Sequence, residues 1–317
     1  MILETPLLFL VYNRPLITDR VFSQIRKVKP KKLYLAADGP KDKYDKNNTD
    51  KTRAIIDNIN WKCDVKKLYR EENLGCKHSV KNAIDWFFNY EDRGIILEDD
   101  CYPHKSAFKF FNDLLIQYSS SSRIMHISGV NYQRRPLKIN SSYYFSSIAN
   151  INGWATWRET WLMYDDIFQK FEDFKKNKKI KEIFTQKIVQ NYWMEVLERN
   201  YKGEDSSWSW PYLFSLFNSN GLAINPSVNL ISNIGYGPKA VHTKNPRDKL
   251  ANLPVFKLNF PLKHPNDLKP NYIADYETNK IFYKITIFNY GIKQLLKKIR
   301  IFSIIKTIYS FIIKKFS

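Results

Sequence analysis

Apolar and polar positions along the first hundred residues come in alternating blocks. The apolar run "PLLFLVY" (6–12) is followed by "LITDRVFSQIRKVK" (16–29), whose apolar residues recur at helical spacing, then by apolar "KKLYLAAD" (31–38) and the polar "GPKDKYDKNNTDK" (39–51). Short apolar runs are the mark of buried strands, and a 3.6-residue period is the mark of a helix, so the order predicted is strand, helix, strand, loop. It continues with helical "TRAIIDNINW" (52–61), strand-like "CDVKKLYR" (63–70), an Asn-Leu-Gly turn at 73–75, helical "CKHSVKNAIDWFFNYE" (76–91) and the strand "GIIL" (94–97). Such alternation predicts an α/β fold, a Rossmann-like open and mostly parallel sheet flanked by helices. In sheets of that kind ligands bind outside the carboxyl ends of the strands.

Further along come a helix (105–119), an apolar "RIMHISGV" (123–130), an aromatic stretch "SYYFSSIANINGWATWRETW" (142–161) and a lysine-rich helical region over 165–205. No Gly/Ser linker or internal repeat interrupts them, which favours one catalytic domain over 1–255, a connecting segment over 256–291 and a distinct tail over 292–317. The tail carries seven Lys or Arg and no acid, while Ile292, Leu295, Leu296, Ile299, Phe302, Ile305, Tyr309, Ile312 and Phe316 keep helical spacing. That is the pattern of a basic amphipathic helix; Lys306 breaks its longest apolar run, leaving it short of the ~20 residues a membrane span needs. It is expected to lie on an anionic membrane surface, the competing expectation being a terminal helix packed on the domain.

With 51 Lys and Arg against 31 Asp and Glu the chain has a net charge of +20, which favours an anionic partner: nucleic acid, anionic lipid or a phosphorylated substrate. No familiar nucleic-acid-binding motif is present, so nucleic acid is the disfavoured member of that set. The start, "MILETPLLFLVYNRP", lacks a basic leader region and reads as a first strand. The three cysteines show no paired CxxC spacing, which argues against a disulfide framework or zinc site and fits a cytoplasmic protein held peripherally on the inner face of the membrane.

The candidate chemistry lies in "RGIILEDDCYP" (93–103), where a buried strand runs into Glu98, Asp99 and Asp100. Along an extended strand Glu98 and Asp100 face one way and Asp99 the other. Adjacent carboxylates in a half-buried place raise one another's pKa unless a cation neutralises them, and an oxygen-rich site suits Mg²⁺ or Mn²⁺. An acidic surface turn is the plainer alternative. The first two strands also end in polar residues, "VYNRP" with Asn13 and Arg14 and "LAADGP" with Asp38. Arg14 suits a phosphate or base, and Asp38 could accept from a uracil imide N–H. Three strand ends converging in this way describe a nucleotide site.

The ordered set "FLVYNRP", "LYLAADGP", "REENLGCKHSVKNAIDWFF", "GIILEDDCYP", "INGWATW" and "LAINPSVNLISNIGYGPKAVHT" resembles GT-A glycosyltransferases, specifically a bacterial group related to the β-1,2-N-acetylglucosaminyltransferase I family, over roughly residues 5–245. The resemblance implies a GT-A fold with a nucleotide-sugar half over about 1–104 and an acceptor half over about 105–255. It implies a UDP-sugar donor, a Mn²⁺ (or Mg²⁺) cofactor, inverting transfer, and a glycan or lipid-linked glycan acceptor of the kind used in surface polysaccharide or lipopolysaccharide synthesis. By the same resemblance Arg14 and Asp38 hold the uridine, Glu98 and Asp99 lie at the ribose and sugar side, and Asp100 ligates the metal. Lys77 borders the donor as a phosphate contact or as a solvated helix-start lysine. Gly153 and Trp154 shape the sugar pocket, with a buried core tryptophan as the alternative for Trp154, and His242 reaches the diphosphate or metal. The chain departs from the pattern at the base, because Ser209 follows Trp208 where relatives carry aspartate. A serine cannot take the acceptor proton, so Asp205, and after it Glu204, are the candidates. Otherwise the protein is a catalytically impaired relative that still binds donor.

Overall fold

A computed structural model of the chain describes residues 2–205, 207–237, 244–292 and 294. The first half alternates strands and helices: β1 (Leu7–Val11), α1 (Pro15–Val28), β2 (Lys32–Ala37), α2 (Lys43–Asp57), β3 (Asp64–Tyr69), α3 (Gly75–Phe88), β4 (Arg93–Glu98), β5 (Cys101–Pro103) and α4 (Lys105–Gln117). The second half adds β6 (Ile124–Ser128), β7 (Tyr143–Ser146), β8 (Trp154–Trp157), α5 (Arg158–Trp161), α6 (Phe171–Lys176), α7 (Ile180–Ile183), α8 (Lys187–Tyr201), α9 (Ser209–Asn218), β9 (Leu222–Pro226), β10 (Ile231–Asn233) and α10 (Tyr272–Ile281).

The large sheet runs β3-β2-β1-β4-β8-β6-β9-β7, and β10 pairs with β5 in a small second sheet. Strands β3, β2, β1 and β4 are parallel; β8 is inserted antiparallel between β4 and β6, and β7 runs antiparallel to β9 at the far edge. This is the expected Rossmann-like, mostly parallel α/β sheet. The chain leaves β1 toward β2 and β3 on one side and returns to β4 on the other, so the strand order reverses between β1 and β4. Its basic tail lies outside the described residues except at its start.

Burial on both faces explains why the first strands read as unbroken apolar runs. Alternate residues Leu7, Phe9, Val11, Leu33, Leu35, Ile95 and Leu97 join one core cluster with Val21, Phe22 and Ile25 of α1 and Phe108, Phe111 and Leu115 of α4. Their neighbours Leu8, Leu10, Tyr34 and Ile96 face the other way, into a second cluster with Ile84 and Phe87 of α3 and the aromatics of α8 and α9. The edge strand β3 is half-exposed and carries Lys66 and Lys67, charges that discourage pairing with another chain.

Two segments differ from the sequence reading. The polar stretch 39–51 is a loop only at its start, because α2 begins at Lys43 behind Asp42, whose carboxylate accepts from the Tyr44 and Asp45 amides at 2.8 and 2.9 Å. A good N-cap and a narrow buried face of Thr49, Thr52 and Ile56 suffice for that helix. The 165–205 region, read as helical, is broken into α6, α7 and α8, with Lys178 in the left-handed region (φ 54°) between the first two. The stretch read as a connecting segment packs on β7: the Asn271 amide donates to the Phe145 carbonyl at 2.8 Å, and Asp275 accepts from Ser146 Oγ and from the Ser147 amide at 2.9 Å.

Within β6, His126 is fully buried. Its Nδ1 meets the Tyr212 hydroxyl and its Nε2 the Asn150 carbonyl, both at 3.1 Å. The carbonyl can only accept, which puts the ring proton on Nε2. Burial lowers the imidazole pKa to about 3. Between pH 6.5 and that value the unfolded chain binds a proton that the folded chain does not, so stability present above pH 6.5 is lost as the pH falls, by up to ~1.4 kcal/mol per pH unit. Urea unfolding over this range is expected to show a shallower pH dependence in His126→Gln than in the parent; identical slopes would contradict the assignment.

Candidate functional site

The site is built where β1 and β4 end. After Val11 the chain crosses Tyr12 and Asn13 and starts α1 at Pro15, leaving Arg14 as the residue before the helix. Asp45 at the start of α2 fixes this strand end: its carboxylate takes the Tyr12 hydroxyl and the Asn13 amide, and it accepts from the Lys41 backbone amide at 3.1 Å. Those bonds hold Asp45 below its usual carboxylate range, outweighing the effect of burial.

On the β4 side the alternation expected of a strand stops at Glu98, and a turn brings both following aspartates to one cation. The guanidinium of Arg14 grips Asp99 through Nη2, and through Nε at 3.2 Å, while Nη2 also lies 3.2 Å from Asp100 Oδ2. Burial disfavours the charge of Arg14, but Asp99 and Asp100 more than compensate and raise its pKa. Asp99 is 3% exposed; burial raises its pKa, with Arg14 opposing. Glu98 is pushed well above the usual carboxylate range by burial and by the charges of Asp100 and Asp99. Its carboxylate has no hydrogen-bond partner among the described residues, whereas Asp99 faces a fork of N–H donors.

Three carboxylates therefore face one guanidinium, and the deficit of positive charge invites a further cation. Among the described residues no three His, Cys, Asp or Glu side chains form a metal-ligating group. Only Asp100, with Glu98 beside it, offers oxygen to such an ion, and the remaining ligands would have to come from water and a bound phosphate. That donor set suits a hard divalent cation held together with an anionic ligand.

The segment after β9, part of a motif quoted from the sequence although its Gly235 was not named there, closes the site. β10 pairs antiparallel with β5 (Cys101 opposite Asn233), and the Ile234 amide then donates to the Asp100 carbonyl at 2.9 Å. Gly235 is the next residue, and a Cβ there would sit 2.5 Å from Asp100 Oδ2 and 2.7 Å from Arg14 Nη1. Only glycine lets this backbone approach the cluster so closely. Tyr236 comes after it, its hydroxyl pKa raised to about 12 by burial, with the charges of Asp248 and Asp100 adding to it. The signal available in the sequence was the pair Gly235 and Gly237 after an apolar run, in a chain with only 10 glycines.

The other expected site residues are spread more widely. Asp38, at the end of β2, accepts from the amides of Gly39 and Leu74 at 3.0 Å, and from the Gly75 amide and Asn73 Nδ2 at 3.1 Å. Four donors fill a carboxylate, so in this conformation Asp38 holds the Asn73–Gly75 turn that starts α3. Lys77 is half-buried on the first turn of α3 with no ion-pair or hydrogen-bond partner among the described residues.

The remaining expected residues, His242 aside, lie away from the cluster. Trp154 matches its core alternative: it is 1% exposed and stacks on His126 at 5.1 Å and on Trp208 at 6.0 Å. Gly153 (φ 67°) is likewise packed, since a Cβ would fall 2.3 Å from Ile231 Cδ1 and 3.1 Å from Leu97 Cδ2. Burial of the large indole at the start of β8 outweighs any surface role. Glu204 and Asp205 come after α8 and pair with Arg199 at 3.8 and 4.0 Å, and among the described residues no contact joins them to Arg14 or the acidic cluster. Ser209 is buried and meets Ser207 at 2.8 Å. His242 lies outside the described residues.

No protein-family model matches the chain. No curated protein matches it either. Among solved structures it is similar to apo UDP-glucose pyrophosphorylase (9% identity, 73% of this chain and 93% of that one, TM-score 0.41). It is also similar to TarS of S. aureus (12% identity, 71% of this chain and 59% of that one, TM-score 0.39) and to a cytidylyltransferase from Leptospira borgpetersenii (13% identity, 53% and 66%, TM-score 0.35). Similarities this distant carry no argument about function.

Removing the guanidinium tests the electrostatics. In Arg14→Ala the buried Asp99 loses its partner and its folded-state pKa rises further, so the folded chain holds a proton that the unfolded chain releases. Stability is then retained at low pH and lost as the pH rises through that value. Arg14→Ala is expected to cost ~3 kcal/mol at pH 8 and clearly less at pH 5; a pH-independent loss would contradict the charge assignment.

Proposed function

We propose that the chain is a transferase that binds a nucleotide sugar at the crevice between β1 and β4, and more specifically a metal-dependent, inverting glycosyltransferase that uses a UDP-sugar. One observation carries this reading: Arg14, Asp99 and Asp100 meet at the point where the strand order of an open α/β sheet reverses, the place where such sheets bind nucleotides. A crevice with a guanidinium, carboxylates short of positive charge and a glycine-bearing backbone over them suits a diphosphate bound with a divalent ion.

Each residue then has a task. Arg14 is, among the described residues, the cation paired with the cluster and would exchange its carboxylate contacts for the nucleotide. Asp100, with Glu98 beside it, would hold Mn²⁺ or Mg²⁺, which when bound supplies charge stabilisation to a departing nucleoside diphosphate. Asp38 positions the turn at the start of α3, where Lys77 is free to meet a phosphate. The close approach of Gly235 brings backbone against the same corner. A glycan or lipid-linked glycan is the acceptor class this reading implies.

The acceptor base is the weak element. Ser209 cannot serve, and among the described residues no contact joins Glu204 or Asp205, which lie 3.8 and 4.0 Å from Arg199, to the cluster. That observation favours a second reading, a donor-binding relative with impaired transfer. Both readings require a metal-linked nucleotide site. UDP with Mn²⁺ at a hundredfold excess over Kd is expected to add about 2.7 kcal/mol of stability, a rise of roughly 4 °C in Tm. The shift should shrink without Mn²⁺ and vanish in Asp100→Ala. Absence of any shift with UDP, or an undiminished shift in Asp100→Ala, would overturn the site. Release of sugar from a UDP-sugar panel then separates an active transferase from a binding relative.

A further inference from the structure

A second surface is assembled far along the chain, where the described structure meets the basic tail. After α10 the chain is tied to α8 at alternate points. Tyr283 packs on Trp193 with ring centroids 4.6 Å apart, Ile285 is buried, and the Tyr290 ring lies 5.4 Å from Tyr192 while its hydroxyl donates to Glu195 at 2.9 Å. Gln294 also donates to Glu195. The π-helical turn between these anchors, Ile287–Gly291, is opened by Thr286, whose hydroxyl accepts from the Asn289 amide at 3.0 Å. Held from both sides, this turn presents Ile287 and Phe288 outward, 78% and 82% exposed. Two adjacent large apolar side chains on an anchored turn are costly in water unless something covers them.

The adjoining tail indicates the cover. Within a few residues begins the 292–317 stretch with its seven Lys or Arg, no acid and an apolar residue every three or four positions. Folding that segment back over the turn would set its seven cations against a chain whose remaining residues already carry a net charge of +13 of the total +20. An anionic bilayer supplies both missing partners, negative headgroups for the lysines and hydrocarbon for Ile287 and Phe288. No described helix is long and apolar enough to cross a membrane.

We propose that the Ile287–Phe288 turn is a docking surface for anionic lipid, in which the turn inserts beside the cations of the sequence that follows it and fixes how the protein stands on the membrane. This does not depend on the nucleotide site. The test is co-sedimentation of the full chain with vesicles containing about one third phosphatidylglycerol in phosphatidylcholine, against phosphatidylcholine alone. Binding is expected only to the anionic vesicles, weakening as salt is raised from about 0.1 M to about 0.5 M. Ile287→Ser/Phe288→Ser is expected to bind roughly tenfold more weakly with unchanged Tm, since both residues are exposed and make no core contact. A Lys297→Gln/Lys298→Gln/Arg300→Gln variant should lose most of the salt-dependent part. Equal binding to neutral vesicles, no binding to either, or full-strength binding by the serine variant would overturn the proposal. So would a dimer in solution that the serine substitutions abolish, which would make the turn an interface between copies.

Discussion

Arg14 sits at the end of one buried strand and the carboxylates of Asp99 and Asp100 at the end of its neighbour, and the charge balance between them sets the character of this fold's functional end. A guanidinium forked onto Asp99 satisfies one carboxylate. It leaves Glu98 without a hydrogen-bond partner among the described residues and Asp100 only partly compensated. A stable protein gains little from such an arrangement, since buried ion pairs contribute weakly to folding and broken ones cost several kcal/mol. On the proposed reading its sense lies in what it would receive: a divalent ion together with an anion that competes for the guanidinium.

The rest of the molecule keeps that cluster in place. Alternate residues of β1, β2 and β4 lock into two cores on opposite faces, so the strand ends cannot shift without disturbing both. Polar ties then fix each loop: Asp45 holds the end of β1, Asp38 the start of α3, and the β5–β10 pair carries Gly235 across Asp100. The small sheet brings a segment from more than a hundred residues downstream against the acidic turn, completing a site to which the N-terminal half supplies the charges.

How much of this was legible in the sequence depends on how local each feature is. β1, α1, β2, α3, β4, α4 and β6 carry their period within the element and were readable. The first half of α2 was hidden by a polar composition, so that only its end was read as helical, and the breaks between α6, α7 and α8 were hidden by continuous helical propensity. The acidic turn and Arg14 stood out because charged residues directly after buried strands have few structural reasons to be there. The hold of Asp38 on the start of α3 was not visible in the sequence, since three of its four donors come from a turn beyond the next strand. Trp154 looked like pocket lining because an aromatic beside a glycine reads alike in a pocket and in a core, and only packing against His126 and Trp208 separates them. Gly235 went unnoticed because its reason is a through-space approach to Asp100.

The most direct test of the account is a crystal structure of the protein soaked with UDP and Mn²⁺, with an anomalous difference map collected for the metal. The account expects one peak against the Asp100 carboxylate, the diphosphate bound beside it at the β1/β4 crevice, and Arg14 turned from Asp99 and Asp100 toward the nucleotide. UDP bound elsewhere, or a peak away from Asp100 with the Arg14–Asp99 pair intact, would contradict it.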